Sequence, residues 1–147
     1  MRGLIQRVSQ ASVAIDGDIV GAIDHGLLLL LGVQQGDTPA NADALLKKIV
    51  KYRVFADDDG KMNRSLCDIQ GGLLIVSQFT LAADTGKGLR PSFSKAAAPD
   101  IAKQQYQYFV QQAQAMSNIS VATGVFAADM QVSLVNDGPV TFLLENV

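Results

Sequence analysis

Five consecutive residues, Ser77-Gln78-Phe79-Thr80-Leu81, are the part of this chain best placed to do chemistry. Two hydroxyls and an amide interrupt the end of an apolar run, Leu73-Leu74-Ile75-Val76. A sheet holds a strand end rigidly, so polar side chains there are displayed at a fixed position. The same pattern also fits a strand that simply emerges into solvent, and residue types alone do not separate the two. A second unusual segment is Asn136-Asp137-Gly138-Pro139-Val140-Thr141. Its composition is that of a turn between two strands. Spacing alone gives Gly138-Pro139 the trans bond usual for X-Pro.

Familiar catalytic sets are missing. His25 is the lone histidine and sits in the turn Asp24-His25-Gly26. As a base it would need a nucleophile beside it in space, so it reads as a structural turn residue. Cys67 follows Leu66 in what reads as a polar loop or strand edge, with no cation beside it to lower its pKa. It reads as an ordinary thiol. Phosphate-loop, dinucleotide and zinc spacings are absent. Asp57-Asp58-Asp59-Gly60 starts like a calcium loop but lacks the later ligands and the closing Glu, so it reads as an acidic turn. One Cys and one His assemble no metal cluster. Neither metal nor cofactor is expected.

The elements that must carry these residues follow from periodicity. Val8, Val13, Ile15, Ile19 and Ile23 mark strands broken at Asp16-Gly17-Asp18, a hairpin signal. Leu27 to Leu31 and Leu73 to Val76 are short apolar runs next to glycines, which read as strands buried on both faces. Thr38-Pro39 reads as an N-cap and first helical residue, followed by Ala42, Leu45, Leu46 and Ile49 at helical spacing. Pro99 opens an amphipathic helix whose apolar face is Ala102, Tyr106, Phe109, Val110, Ala113 and Met116. Strand-like segments follow near 119–125, 130–136 and 140–145, the last two separated by the Gly138-Pro139 turn. The sum is an α+β fold, with a strongly curved, antiparallel or mixed, barrel-like sheet and two main helices packed on it.

The chain has 147 residues, 48% of them apolar and 18% charged. That suits one domain spanning 1–147, and the light charge leaves room for an apolar interface between subunits. Met1 to Arg7 meets polar residues too soon for a signal peptide, the longest apolar run, Leu27 to Leu31, is far too short to span a bilayer, and Cys67 has no disulfide partner, which fits a cytoplasmic protein. The net charge of −2 argues against a protein that coats nucleic acid, but not against an enzyme that touches one end of an RNA. Cations gather at Lys47, Lys48, Lys51 and Arg53, and again at Lys87, Arg90 and Lys95. Runs of this kind usually form solvated faces.

Taken together, Gln6-Arg7-Val8, Gly60-Lys61-Met62-Asn63, Ser77 to Leu81, Lys87 to Phe93, Ala128-Asp129-Met130-Gln131-Val132 and Asn136 to Thr141 resemble the D-aminoacyl-tRNA deacylase family. The resemblance runs along essentially the whole chain, in order. It implies a homodimer with its active sites at the subunit interface. It also implies a cis Gly138-Pro139 bond inserted into the partner's pocket, facing Ser77 to Leu81 there. Such a backbone wall admits the Cα hydrogen of a D-amino acid and excludes an L side chain. It would accept many D-amino acids and could not reject achiral glycine. Rejection by clash suits a small pocket, because favourable contacts discriminate by only about 1–3 kcal/mol per methylene.

The resemblance further implies hydrolysis of the ester joining the amino acid to tRNA. Thr80 is then the candidate hydroxyl, and the N–H groups around Phe79 and Thr80 are candidate oxyanion donors. With no base visible, a second scheme has the terminal adenosine's 2′-OH help activate water, and this scheme is preferred. On the same resemblance Phe79 is expected to pack on substrate, Gln78 to fix the strand end or the ribose, and Arg7 to hold the Gly-Pro loop across the dimer. Asn136 and Met130 are expected to support the site, and Lys87 and Arg90 to contact phosphates near the acceptor end. Two other readings stay open: a non-catalytic RNA-binding dimer, and a hydrolase of small D-amino acid esters.

Overall fold

Strand β1 (Arg2–Ile15) organises the fold. Its first half lies between β3 (Gly26–Gly32) and the end of β8 (Gln131–Glu145); its second half lies between β2 (Asp18–Ile23) and the start of β8. The β1–β2 turn is where the sequence places it. Asp16 and Gly17 both take positive φ, 50° and 84°, as a two-residue turn matched to strand twist requires. β6 (Gly72–Ser77) runs parallel to β3, and β7 (Ser120–Thr123) parallel to β6. The order β2-β1-β3-β6-β7 then curls round on itself: a Cβ on Gly21 of β2 would lie 2.4 Å from the Thr123 carbonyl oxygen of β7. The result is the expected curved, mixed, barrel-like sheet in an α+β fold. The structure, a computed structural model, describes residues 1–145.

Alternation along β3 and β6 separates two apolar layers. Leu27, Leu29, Leu31, Leu73 and Ile75 face helices α1 (Pro39–Lys51) and α3 (Pro99–Gln114), while Leu28, Leu74 and Val76 join Val8, Ala11 and Val13 in the second layer. Burial on both faces is why these strands read as unbroken apolar runs. Each fully buried Leu or Ile contributes about 1.5–3 kcal/mol, so the two central strands are the rigid part of the molecule.

α1 begins as expected at Thr38, whose N–H and hydroxyl both donate to Asn41 Oδ1, and it buries Ala42, Leu45, Leu46 and Ile49. α3 buries Ala102, Tyr106, Phe109 and Ala113. Val110 is only half-buried, and Met116 lies beyond the helix end. Two expectations need correction. Cys67 is not in a loop or strand edge but in a one-turn helix, α2 (Leu66–Ile69). Ser65 and Asp68 close that turn with reciprocal bonds, Ser65 N–H to Asp68 Oδ2 at 2.8 Å and Asp68 N–H to Ser65 Oγ at 3.2 Å. The last two strands are not separated by a turn either. β8 is continuous, and the Gly138-Pro139 segment bulges from it. A short hairpin, β4 (Phe55–Ala56) with β5 (Met62–Arg64), carries the acidic turn. There Asp57 accepts from the N–H groups of Asp59 and Lys61 and from Asn63. Led by the Asn63 bond, these hold its carboxyl below the usual range.

Candidate active site

β6 leaves the sheet at Ser77, and Gln78 anchors the exit by donating its N–H to the Leu31 carbonyl at 2.8 Å. The chain then turns into a short 3₁₀ helix, Phe79–Ala82. The start of such a helix leaves the Phe79 and Thr80 N–H groups without intrahelical partners. Arg2 fixes the other end, its Nη1 donating to the Leu81 carbonyl at 2.8 Å and its Nε pairing with Glu145 at 2.9 Å. The pentapeptide is therefore clamped at both ends.

Beside it lies a cleft of about 510 Å³, within the usual range for small-ligand sites. Ser77, Gln78 and Phe79 form one wall, Ala97, Pro99 and Ala102 at the start of α3 a second, and Phe126 to Met130 the third. The lining is mainly apolar. Thr80 is exposed and stands outside the lining residues, its Oγ1 accepting from Gln78 Nε2 at 2.5 Å. A carboxamide cannot take up the hydroxyl proton, so this contact orients Thr80 without activating it. His25 is elsewhere, edge-on to Phe55 at 5.2 Å between ring centres. Behind β6, the Tyr106 hydroxyl donates to the Ile75 carbonyl at 3.2 Å, and burial pushes its pKa up to about 12. It is a fixed donor that braces the strand.

Phe79 is 58% exposed and leans on Phe93, 5.1 Å away between ring centres. Phe93 belongs to a tongue, residues 83–95, closed at its base by paired backbone bonds between Asp84 and Ser92 at 2.7 and 3.0 Å. Asp84 also accepts from the Gly86 N–H at 2.9 Å and pairs with Lys95 at 3.1 Å. The Gly86 bond first, and then Lys95, hold its carboxyl below the usual range. A depressed folded pKa contributes order that is complete above the unfolded value and is lost as pH falls through the folded value. Asp84→Asn is therefore expected to speed amide exchange at Gly86 at neutral pH and to flatten its acid dependence. Exchange identical to the parent's would remove Asp84 as the tongue's anchor. Lys87 and Arg90 are exposed at the tongue's tip, beside the fully exposed Leu89.

The second motif forms its own cluster. Between Gln6↔Thr141 and Val8↔Asn136, β1 advances two residues while β8 advances five, so residues 137–140 bulge opposite Arg7. Asn136 closes the bulge. Its Oδ1 accepts from the Val140 N–H at 3.1 Å, and its Nδ2 donates to Thr141 Oγ1 at 3.0 Å. Arg7 fills the gap, its Nε donating to the Asp137 carbonyl at 3.0 Å and its Nη1 to the Val54 carbonyl at 2.7 Å. These partners belong to Arg7's own chain, whereas the resemblance implies a bond across the dimer. The Gly138-Pro139 bond is cis, unlike the trans bond expected from spacing and as the resemblance implies.

Of the residues singled out in the sequence, Ser77, Gln78, Phe79 and Met130 share the cleft, with Thr80 just outside its lining. Arg7, Asn136, Gly138 and Pro139 do not line it. Sequence reasoning missed Arg2, Phe126 and the small residues Ala97 and Ala102 that leave the cleft open. Among the described residues, no three His, Cys, Asp or Glu side chains stand together as metal ligands.

A curved mixed sheet backed by helices, with an apolar cleft beside the end of β6, defines an α+β protein with room for a compact ligand at a strand end. The family model described as D-Tyr-tRNA(Tyr) deacylase matches residues 4–145. A D-aminoacyl-tRNA deacylase of Cellvibrio japonicus is 63% identical over 145 residues, covering 99% of each chain. One of Aeromonas hydrophila is 62% identical with the same coverage. The solved structure of a c-Myc DNA unwinding element binding protein superposes with a TM-score of 0.95 at 38% identity, covering 100% of this chain and 99% of its own. A probable eukaryotic D-amino acid tRNA deacylase shares the fold, with a TM-score of 0.79 at 15% identity and 97% coverage of both chains. The chain belongs to the D-Tyr-tRNA(Tyr) deacylase family.

Proposed function

We propose that this protein is a D-aminoacyl-tRNA deacylase, a hydrolase that cuts the ester between a D-amino acid and the terminal ribose of tRNA. The observation that carries the reading is the clamped pentapeptide beside an apolar cleft, in a chain that matches its family from end to end. In the reaction, water adds to the ester carbonyl carbon. The negative charge on the carbonyl oxygen is met by the free N–H groups of Phe79 and Thr80, donors whose individual loss costs about 10²–10³ in rate at comparable sites. The bond to the ribose oxygen then breaks and that oxygen takes a proton, giving free D-amino acid and tRNA. Thr80 touches no base, which favours the adenosine 2′-OH as the group that directs water, with the Thr80 hydroxyl left to donate a hydrogen bond. Phe79 supports the acyl group or the terminal base.

The working unit is a homodimer. β8 pairs with β1 alone, so a 15-residue strand presents an open edge carrying exposed Val135, Phe142 and Leu143. Long apolar edges of this kind are normally covered. The Gly138-Pro139 bulge rises from that strand and stays clear of its own chain's cleft lining, which suits delivery to the partner's cleft. There it serves as the wall that excludes L side chains and lets glycine through. Each chain acts as one domain, and the cytoplasm, where charged tRNA is used, is the fitting compartment.

Incubation with D-tyrosyl-tRNA and L-tyrosyl-tRNA tests this directly. D-tyrosyl-tRNA should be deacylated at least about 100-fold faster, a difference of about 2.7 kcal/mol in transition-state free energy. Saturable tRNA binding without turnover would leave a non-catalytic RNA-binding dimer. Equal rates on charged tRNA and on simple D-amino acid esters would leave a small-ester hydrolase. At the tongue, Lys87→Ala and Arg90→Ala should each lower the salt slope of tRNA binding by about 1. An unchanged slope would take them out of the RNA contact.

A further inference from the structure

Lys47, Lys48, Lys51 and Arg53 have no part in the site described so far. They lie within seven consecutive residues at the end of α1 and just beyond it, on a chain of net charge −2. Lys47, Lys51 and Arg53 are exposed and Lys48 is half-buried. The ion pairs of the described residues engage the N-terminus, Arg2, Arg7, Arg64 and Lys95, and none of the four ridge cations. Asp43, the one carboxylate on α1, is held instead by the Tyr108 hydroxyl at 2.9 and 3.1 Å. Among the described residues none of the four makes an ion pair, although the charge of Arg53 is felt at Asp68.

Their position gives them a use. One guanidinium, that of Arg7, bonds both the Val54 carbonyl and the Asp137 carbonyl, which bolts the end of this segment to the Gly138-Pro139 bulge. Tyr52 packs edge-on against Phe142 of β8, 5.6 Å between ring centres, and a shallow groove lined by Lys51, Arg53 and Phe142 runs between the two elements. The cations and the bulge therefore move as one body. Wherever the bulge docks, the ridge goes with it.

We infer that the Lys47-Lys48-Lys51-Arg53 ridge of one subunit grips the phosphates of the tRNA whose amino acid sits in the other subunit's cleft. The inference rests on the composite-site reading above, in which the bulge completes the partner's cleft. The ridge then stands at that cleft's rim, across from the Lys87 and Arg90 of the subunit that owns it, and the acceptor end passes between the two. Lys47 and Lys51 are one helical turn apart, about 6 Å along the axis. That spacing lets the two cations reach separate phosphates of one strand.

The test has two stages. In the homodimer, Lys51→Ala/Arg53→Ala should raise KM for D-tyrosyl-tRNA about tenfold at physiological salt and lower the salt slope by about 2. Lys47→Glu/Lys48→Glu should raise KM further. An unchanged KM and slope would mean a solvated helix face and would overturn the contact. The second stage uses mixed dimers with one working cleft. One chain carries Gly138→Val, which spoils its bulge. Its mate carries Ala128→Trp, which fills its cleft. Adding the ridge substitutions to the Ala128→Trp chain should raise KM, and adding them to the Gly138→Val chain should not. The reverse would overturn the assignment across the dimer. Mixed dimers that regain no activity would overturn that assignment through the reading it rests on, while the homodimer slope would still report the ridge contact itself.

Discussion

Gly138→Val is expected to lower kcat/KM on D-aminoacyl-tRNA at least about 100-fold while the protein remains folded. Gly138 holds φ at +138°, which L side chains rarely adopt. A Cβ there would lie 2.6 Å from Val140 Cγ2, 3.0 Å from the Val140 nitrogen and 3.1 Å from Arg7 Nη2. The first contact is with a β-branched side chain, which yields little. The second is backbone. The third would push the guanidinium off the Asp137 and Val54 carbonyls that it holds. The bulge must shift, and a shift of about 1 Å in a positioning element costs about 10²-fold in rate. Residues 137–139 are exposed and only the half-buried Val140 touches the core, so the melting temperature should move by only a few degrees. Single-turnover hydrolysis with a thermal melt checks both parts. Near-parental rates would show that the bulge is scenery.

Replacing the terminal adenosine of D-tyrosyl-tRNA by its 2′-deoxy form is expected to slow hydrolysis about 10²–10⁴-fold, the range for loss of a positioned acid–base group. The reason is what surrounds Thr80. Its hydroxyl contacts the Gln78 amide, which cannot accept a proton, and the lone histidine lies against Phe55, outside the cleft. A neutral hydroxyl with no base is a poor nucleophile, which favours a group supplied by the substrate. Thr80→Ala should then cost only about tenfold, the price of one donor hydrogen bond of about 1.4 kcal/mol. Full activity on the deoxy substrate, with Thr80→Ala inert, would reverse the assignment and make Thr80 the nucleophile.

Much of this architecture is legible in the sequence because one local force dominates at each place. Leu27 to Leu31 and Leu73 to Val76 read as buried strands because both faces are covered. Asp16-Gly17 reads as a turn because its backbone needs positive φ. The strand containing Pro139 did not read as one strand, since proline breaks a ladder by removing a donor. Here the missing donor does no harm, because the bulge leaves that residue out of the β1 register and the other edge of β8 is unpaired. The short helix α2 escaped notice because its signal is a single Ser65–Asp68 exchange. In the site, polar Ser77 to Thr80 stood out against an apolar run. Ala97, Ala102 and Phe126 look like ordinary core residues, and only the fold brings them to one cleft. Arg2 lies 79 residues from the carbonyl that it holds, a distance no local pattern spans.

In the composite site proposed above, each cleft is completed by the other subunit's bulge, and mixing two disabled chains puts that to the test. Chains with Gly138→Val keep an open cleft and lose the bulge; chains with Ala128→Trp keep the bulge and lose the cleft. Each homodimer should be nearly inert on D-tyrosyl-tRNA, whereas purified mixed dimers should recover about half the parental rate per dimer, from the one cleft that meets an intact bulge. Mixed dimers as inert as their parents would contradict the claim and return the whole site to a single chain.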